Sequence, residues 1–244
     1  MTDPILRLNP ALKVADYAEI YARDGMVQIP DIFEKEVAER LGEIIETSLP
    51  WSLTFYGPDS KPVRIPAQDL QGHKVQELRP QIDELIKRSG EDYGFIHFTF
   101  GMVSAHVGGQ HPNHPIHPLT GFLMGPEFTQ FGRALTGDPT IRWADSQATL
   151  YRPGDFIGLH VDHSDQHVQR VAAYTLGFTS RWRSDWGGQL LFHDANTGDI
   201  TRGLAPRWNT LTVFKVPTLH SVAPVAPYAK GARLSVVGWF RSDQ

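Results

Sequence analysis

Residues 151–162, YRPGDFIGLHVD, are the stretch on which the reading of this chain turns. Phe156 to His160 is a short apolar run of strand length, and Tyr151-Arg-Pro-Gly154 before it is a turn that brings the Tyr151 strand alongside. In a strand, residues i and i+2 point to the same side, so His160 and Asp162 share one face at the edge of the core. Outward from this point the pattern repeats. Strand runs at 140–151, 156–162, 168–179, 188–193, 208–216 and 232–240, separated by turn signals, predict a sandwich or barrel. The 22 glycines and 18 prolines agree with a turn-rich, strand-rich chain.

The first ninety residues read differently. Apolar positions fall at helical spacing over 14–23 and 33–48, with Asp31 as the expected N-cap of the second helix, and a third helix is expected over 74–89. Gly25 to Pro30 reads as a short strand, and 57–72 as a polar, proline-containing connection. Phe95, His97 and Thr99 alternate with Ile96, Phe98 and Phe100, a strand with both faces partly apolar. Residues 106–118, HVGGQHPNHPIHP, read as a long loop, the kind that often serves as a lid, and a helix follows near 126–136. The expected organisation is one domain over 1–244, with 1–92 as helical support and 93–244 as the β-sandwich core. The fold class is mainly β with flanking helices (α+β).

Composition narrows the function. At 41 % hydrophobic and 20 % charged residues the 244-residue chain resembles an ordinary soluble globular protein, and it buries a core without staples. The absence of cysteine excludes disulfides, thiolate metal sites and cysteine nucleophiles. No apolar run approaches the roughly 20 residues of a membrane helix, and MTDPILRLNP lacks a signal-peptide layout, so a cytoplasmic location without membrane partners is expected. With a net charge of −4 and no basic block, electrostatic binding to nucleic acid is not expected.

The eleven histidines make a His-x-Asp pair unsurprising on its own, and a second one, His163-Ser-Asp165, follows at once. An offset of three turns it to the other side of a strand, and it lies in a polar stretch, so context favours His160 and Asp162. An open-faced non-haem iron site needs two histidines and one carboxylate. The other histidine is then His220, which follows the strand Leu211 to Val216 and a proline, at a strand end or turn. A hydrogen-bonded core histidine is the plainer reading of that residue taken singly. Arg233-Leu-Ser-Val-Val-Gly-Trp-Phe240 adds a further sign. Alternation puts Arg233, Ser235, Val237 and Trp239 on one face, and an arginine inside an apolar strand calls for an anion, unless it is an edge residue reaching solvent.

Taken in order, Tyr151 and Gly154, His160 and Asp162, Trp186-Gly-Gly-Gln-Leu190, His220, and Arg233 with Ser235 and Trp239 resemble the prolyl-4-hydroxylase-like branch of the 2-oxoglutarate/Fe(II) dioxygenases. The resemblance covers about residues 140–240, with a looser echo in Asp24-Gly-Met-Val-Gln-Ile29. It implies a double-stranded β-helix (jelly-roll, cupin-like) core, with Fe(II) on His160, Asp162 and His220. It implies 2-oxoglutarate as cosubstrate, its far carboxylate on Arg233 with help from Tyr151 and Ser235, and Trp239 lining the iron pocket. Where relatives often carry a tyrosine or threonine on the strand matching 170–179, the in-register residues here are Thr175 and Gly177, with Tyr174 turned away. The implied reaction uses O2, releases succinate and CO2 and hydroxylates an unactivated C–H bond, with ascorbate as a reductant. No acid–base residue beyond the metal ligands is needed. A prolyl residue in a protein and a proline-like small molecule both fit as substrate, and Asp162 argues against a halogenase. The rival readings are a cupin-type metal enzyme that does not use 2-oxoglutarate and a silent interaction domain. Of the remaining histidines, those at 106, 111, 114 and 117 read as part of a lid rather than a zinc site, while His163 and His167 read as solvated loop residues.

Overall fold

The structure, a computed structural model, describes residues 5–164 and 168–243, so Asp165 and His167 lie outside the described residues. Its centre is one antiparallel sheet folded over on itself. The larger wall runs in the order β1 (Met26–Pro30), β11 (Thr210–Lys215), β8 (Arg170–Gly177), β13 (Arg233–Arg241) and β6 (Gln147–Tyr151). The smaller wall is β7 (Phe156–Val161), β12 (Leu219–Val222), β9 (Leu190–His193) and β10 (Ile200–Leu204). The strand β4 (Phe95–Phe100) joins them, because Phe98 to Phe100 pair with β6 while Phe95 and Ile96 pair with β7. This is the double-stranded β-helix arrangement, with β5 (Trp143–Ala144) as a short addition beside β13.

Alternation decides which face of each strand meets which layer. On β13, Leu234, Val236 and Phe240 point into the main apolar cluster; on β8, Ala172, Tyr174 and Leu176 do; on β11, Leu211 and Val213 do. The helices α1 (Val14–Asp24), α2 (Lys35–Thr47), α5 (His117–Met124) and α6 (Pro126–Thr136) cover that face with Val37, Leu41, Ile45, Leu119, Phe128 and Leu135, among others. The opposite faces of the same strands line a cavity between the walls. A second, smaller cluster forms where α3 (His73–Arg88) lays Leu78 and Leu85 on Leu53, Phe55, Ile96 and Phe98.

Three expectations need correcting. The first ninety-two residues are not purely helical support: besides the expected strand β1, which pairs with β11, the unexpected β2 (Ser52–Tyr56) and β3 (Pro62–Pro66) extend the sheet from β4. Pro62 and Pro66 terminate β3 at the outer position of that extension, where a missing N–H costs no central ladder bond. Asp31 does not cap α2. It takes a left-handed φ of 50°, and Glu34 stands at the cap position without a side-chain bond. Finally, residues 106–118 are not a free loop. His106 lies in α4 (Met102–Val107), and α5 begins at His117 with Pro118 in its first turn, where proline does not break a helix.

Helix α6 crosses the sheet at a glycine. A Cβ on Gly132 would stand 2.5 Å from the Phe240 ring, and that ring is fully buried between Phe128 and Tyr174. Glycine to alanine inside a helix ordinarily adds about 1 kcal/mol, whereas overpacking a rigid core costs about 1–3 kcal/mol. Gly132→Ala is therefore expected to lower stability by about 1 kcal/mol and at most about 2 kcal/mol, read as a lower urea midpoint with an unchanged slope.

Candidate active site

Antiparallel pairing of β12 with β7 sets His220 directly opposite His160. Their rings lie 4.2 Å apart between centroids, and Asp162 Oδ2 is 3.8 Å from His220 Nε2. One ligand atom from each of the three residues falls within 4.8 Å of the others. The register slips between His220 and Val222, so β7 carries an extra residue around Gly158 and Leu159. Such a bulge re-aims the side chains that follow it. Here it leaves Leu159 half exposed and turns His160 inward.

The donor set fits a divalent metal for a reason visible in the hydrogen bonds. His160 Nδ1 donates to the carbonyl of Gly158 at 2.9 Å, and His220 Nδ1 donates to that of Thr218 at 2.8 Å. With both Nδ1 atoms engaged as donors, each Nε2 is left with its lone pair, the tautomer a ligating imidazole requires. Burial and the neighbouring His160 push the His220 pKa down to about 4, so its ring stays neutral. Two imidazoles and one carboxylate are the donors an open-faced ferrous site uses. Arg170 steadies the carboxylate: its Nη1 lies 3.9 Å from Asp162 Oδ1 and donates to the carbonyl of His163.

These residues open onto a cavity of about 320 Å³ between the walls. On the larger wall, β13 pairs with β6 so that Arg233 stands opposite Tyr151. The Arg233 guanidinium carbon sits 4.8 Å from the centre of the Tyr151 ring. Arg233 is only 4 % exposed, and among the described residues no carboxylate pairs with it. Burial lowers its pKa, opposed by the Tyr151 oxygen, to which it is hydrogen-bonded. A guanidinium held this way is costly unless an anion completes it, and a planar fork matches a carboxylate best. Of the glycines in Trp186-Gly-Gly-Gln-Leu190, Gly187 passes close to the Pro224 carbonyl and Gly188 lies against Arg233. Gly187 and Gly188 both take positive φ, and a Cβ on Gly188 would reach within 3.5 Å of Arg233 Cδ. This tight turn packs over the arginine stem.

Trp239, Val237, Tyr151 and Thr175 also line the cavity. Tyr174 turns the other way, its hydroxyl donating to the carbonyl of Asp145 at 2.7 Å. Ser235 is held otherwise than the resemblance implies: its hydroxyl shares a 2.8 Å hydrogen bond with Thr149, and Thr149 is the one of the two that lines the cavity. His106, His111, His114 and His117 do not line it. His114 and His117 bond to carbonyls of Ser48, Gln110 and His111, and His106 and His117 bond to each other.

Sequence reading missed several cavity residues, and His97 is the most telling. It stacks flat on Tyr151, with centroids 4.8 Å apart and 7° between planes. Its Nδ1 is buried with no partner among the described residues. Burial, then the charges of Arg233 and Arg64, lower its pKa to about 3. The signal was present: His97 and Thr99 are the polar residues on one side of an otherwise aromatic and aliphatic strand. Tyr93 and Arg170 gave no comparable sign, since each lies at a strand margin.

Residues 146–241 match the family model of the 2OG-Fe(II) oxygenase superfamily. A curated relative, the prolyl 3-hydroxylase OGFOD1 of Xenopus laevis, is 36 % identical over 84 residues, 32 % of this chain and 16 % of the relative. The matched stretch thus spans only a small part of that relative's length. Among solved structures, a Pseudomonas putida prolyl-4-hydroxylase aligns over 95 % of this chain and 100 % of its own, with 18 % identity and a TM-score of 0.55. An oxidoreductase of the 2OG-Fe(II) oxygenase family from Burkholderia pseudomallei aligns over 100 % and 97 %, with 16 % identity and a TM-score of 0.60. At these identities the structural matches speak for the fold. Among the described residues no helix is long and apolar enough to cross a membrane.

Because the folded state holds His97 neutral, its depressed pKa contributes stability that is complete above the unfolded value of about 6.5 and is lost as pH falls from there toward the folded value of about 3. Asp155, whose pKa burial raises to about 6, acts in the opposite sense. Comparing wild type with His97→Gln cancels that contribution. Between pH 7.5 and 5.5 the wild type is expected to lose about 1 kcal/mol more than the variant, measured by urea unfolding. Parallel curves would show that His97 titrates freely.

Proposed function

We propose that this chain is an Fe(II)- and 2-oxoglutarate-dependent oxygenase of the prolyl-4-hydroxylase-like branch, which hydroxylates a prolyl residue at an unactivated C–H bond. The observation that carries the reading is the meeting, in one cavity of about 320 Å³, of a two-histidine, one-carboxylate cluster with a buried arginine that has no carboxylate partner among the described residues. The match of residues 146–241 to the superfamily model supports the cofactors, and the names of the relatives support the prolyl substrate.

In this reading His160, Asp162 and His220 hold the iron. Arg233 takes the far carboxylate of 2-oxoglutarate, with the Tyr151 hydroxyl beside it and Thr149 nearer than Ser235. When bound, iron and 2-oxoglutarate supply an O2-dependent decarboxylation to succinate and CO2, coupled to oxidation of a C–H bond. The protein fixes the geometry in which this happens. Gly158 and Thr218 hold the two imidazoles in the ligating tautomer, and Arg170 holds the carboxylate. Phe214, Leu190, Ala173 and Val222 form apolar wall around the ligands and keep water from competing for the open face. No side chain has to move a proton, and neutral His97, with its buried Nδ1, gives the cosubstrate side of the cavity a polar, uncharged surface.

The test is an anaerobic optical titration of metal-free protein with Fe(II), then 2-oxoglutarate. A weak visible charge-transfer band is expected only when both are present. Arg233→Ala should raise the 2-oxoglutarate concentration needed by about a hundredfold, the cost of leaving one side of a buried charge pair unmatched. Asp162→Ala should give neither band nor succinate. Iron binding without a band would move the protein to metal enzymes that share the fold but not the cosubstrate, and succinate formation by Asp162→Ala would overturn the ligand assignment.

A further inference from the structure

A second chamber, of about 620 Å³, adjoins the metal cavity. It is lined by Gly101, Val103, Ser104, Val107 and Gly108 around α4, and on the other side by Trp143 and Arg241. Three residues line both spaces: Arg64 from β3, Gln147 from β6 and Trp239 from β13. They form a waist between the chambers.

What distinguishes this waist is that none of its polar side chains is engaged. The Trp239 indole N–H is buried and has no hydrogen-bond partner among the described residues. The Arg64 guanidinium and the Gln147 amide make no hydrogen bond or ion pair with any described residue, and Arg64 is exposed to the opening. By contrast, Arg241, deeper in the second chamber, is paired with Asp145 and Asp243. A buried N–H left unpaired costs about 1–3 kcal/mol, so an acceptor is missing from the picture. Trp239 is also held rigidly, because the Arg170 guanidinium lies 4.2 Å from its ring centre. The same Arg170 approaches Asp162, which fixes the waist next to the metal cluster.

We infer that the waist reads an acidic peptide segment next to the reacting residue of the substrate. The inference rests on the oxygenase reading above and narrows its substrate. Indole N–H, guanidinium and carboxamide can all donate, and an extended polypeptide offers backbone carbonyls at strand-like intervals of about 3.4 Å. One such carbonyl accepts from Trp239, another from Gln147. Arg64, a cation with no anion among the described residues, takes a carboxylate side chain of the same segment. The chain then continues over α4 in the second chamber, whose volume leaves room for several residues beyond the one presented to the metal.

The test loads the protein anaerobically with Fe(II) and 2-oxoglutarate and measures binding of fluorescein-labelled octapeptides by anisotropy. Each carries a central proline flanked by glutamate, by glutamine or by lysine, and free L-proline serves as competitor. The glutamate peptide is expected to bind about fivefold tighter than the glutamine peptide, the scale of a partly exposed ion pair. Arg64→Gln should erase that preference while the charge-transfer band persists. Trp239→Phe keeps the ring and removes the N–H, and should weaken all peptides about tenfold. A protein that shows the band but binds the three peptides alike, or keeps the glutamate preference without Arg64, overturns the inference. So does a protein that shows the band, ignores peptides and binds L-proline. Absence of the band would instead indict the oxygenase reading, on which this one depends.

Discussion

The site depends on strand register. His220 can meet His160, and Arg233 can meet Tyr151, only because each pair stands directly opposite in its antiparallel ladder. A shift of one residue in β12 or β13 would turn every side chain of that strand to the other face. Arg233 would then face the helices and Leu234 the cavity. The register of β13 is secured from both sides, by β8 and by β6, and by the apolar cost of turning Leu234, Val236 and Phe240 inward. The helical layer thus does more than add stability. By demanding apolar residues on the outer face, it fixes which residues are left to face the metal.

The electrostatics of the cavity follow from that placement. Two of its three histidines are held neutral chiefly by burial, His220 with His160 beside it and His97 with the charges of Arg233 and Arg64 nearby. Its most buried cation, Arg233, sits at the opposite wall with a phenol beside it and, among the described residues, no carboxylate partner. One end of the cavity therefore favours a metal and the other an anion. A molecule carrying both a metal-chelating end and a distant carboxylate spans the two without requiring any group to change protonation. The folded protein pays for this arrangement in unsatisfied polar groups, and His97 Nδ1 and Trp239 Nε1 are where that debt is most visible.

Much of this was legible in the sequence. His160 and Asp162 stood on one strand face, Arg233 interrupted an apolar strand with the correct alternation, and the order of motifs supplied the distant His220. The strand runs of the C-terminal half fell within a few residues of the observed elements. What escaped notice did so for identifiable reasons. Strands β2 and β3 are short, and β3 is bounded by prolines, so the stretch looked like a connection. Pro118 looked like a breaker, although in the first turn of α5 it is not one. Asp31 has the residue type of a cap, but its backbone turned left-handed before the helix began. His97 was marked only by its polarity within an apolar strand, and Arg170 and Thr149 acquire their meaning from neighbours on distant strands, which no local pattern reveals.

The division of labour between strands has a consequence for specificity. The metal ligands come from β7 and β12 and the segment directly after β7, all on the smaller wall, whereas Arg233 and Tyr151 come from β13 and β6 on the larger. The waist draws Trp239 and Gln147 from these same larger-wall strands but takes Arg64 from β3, which touches the rest of the sheet only through β2. Changes in β3 can therefore alter what passes the waist without disturbing either ladder that sets the register of the metal and cosubstrate ends. Trp239 has no such freedom. Through its strand it shares the register that places Arg233, and through Arg170 it is linked to Asp162. Substrate reading is thus split between one residue locked to the chemistry and another that can vary, which is how a fold with a fixed reaction can change its partner.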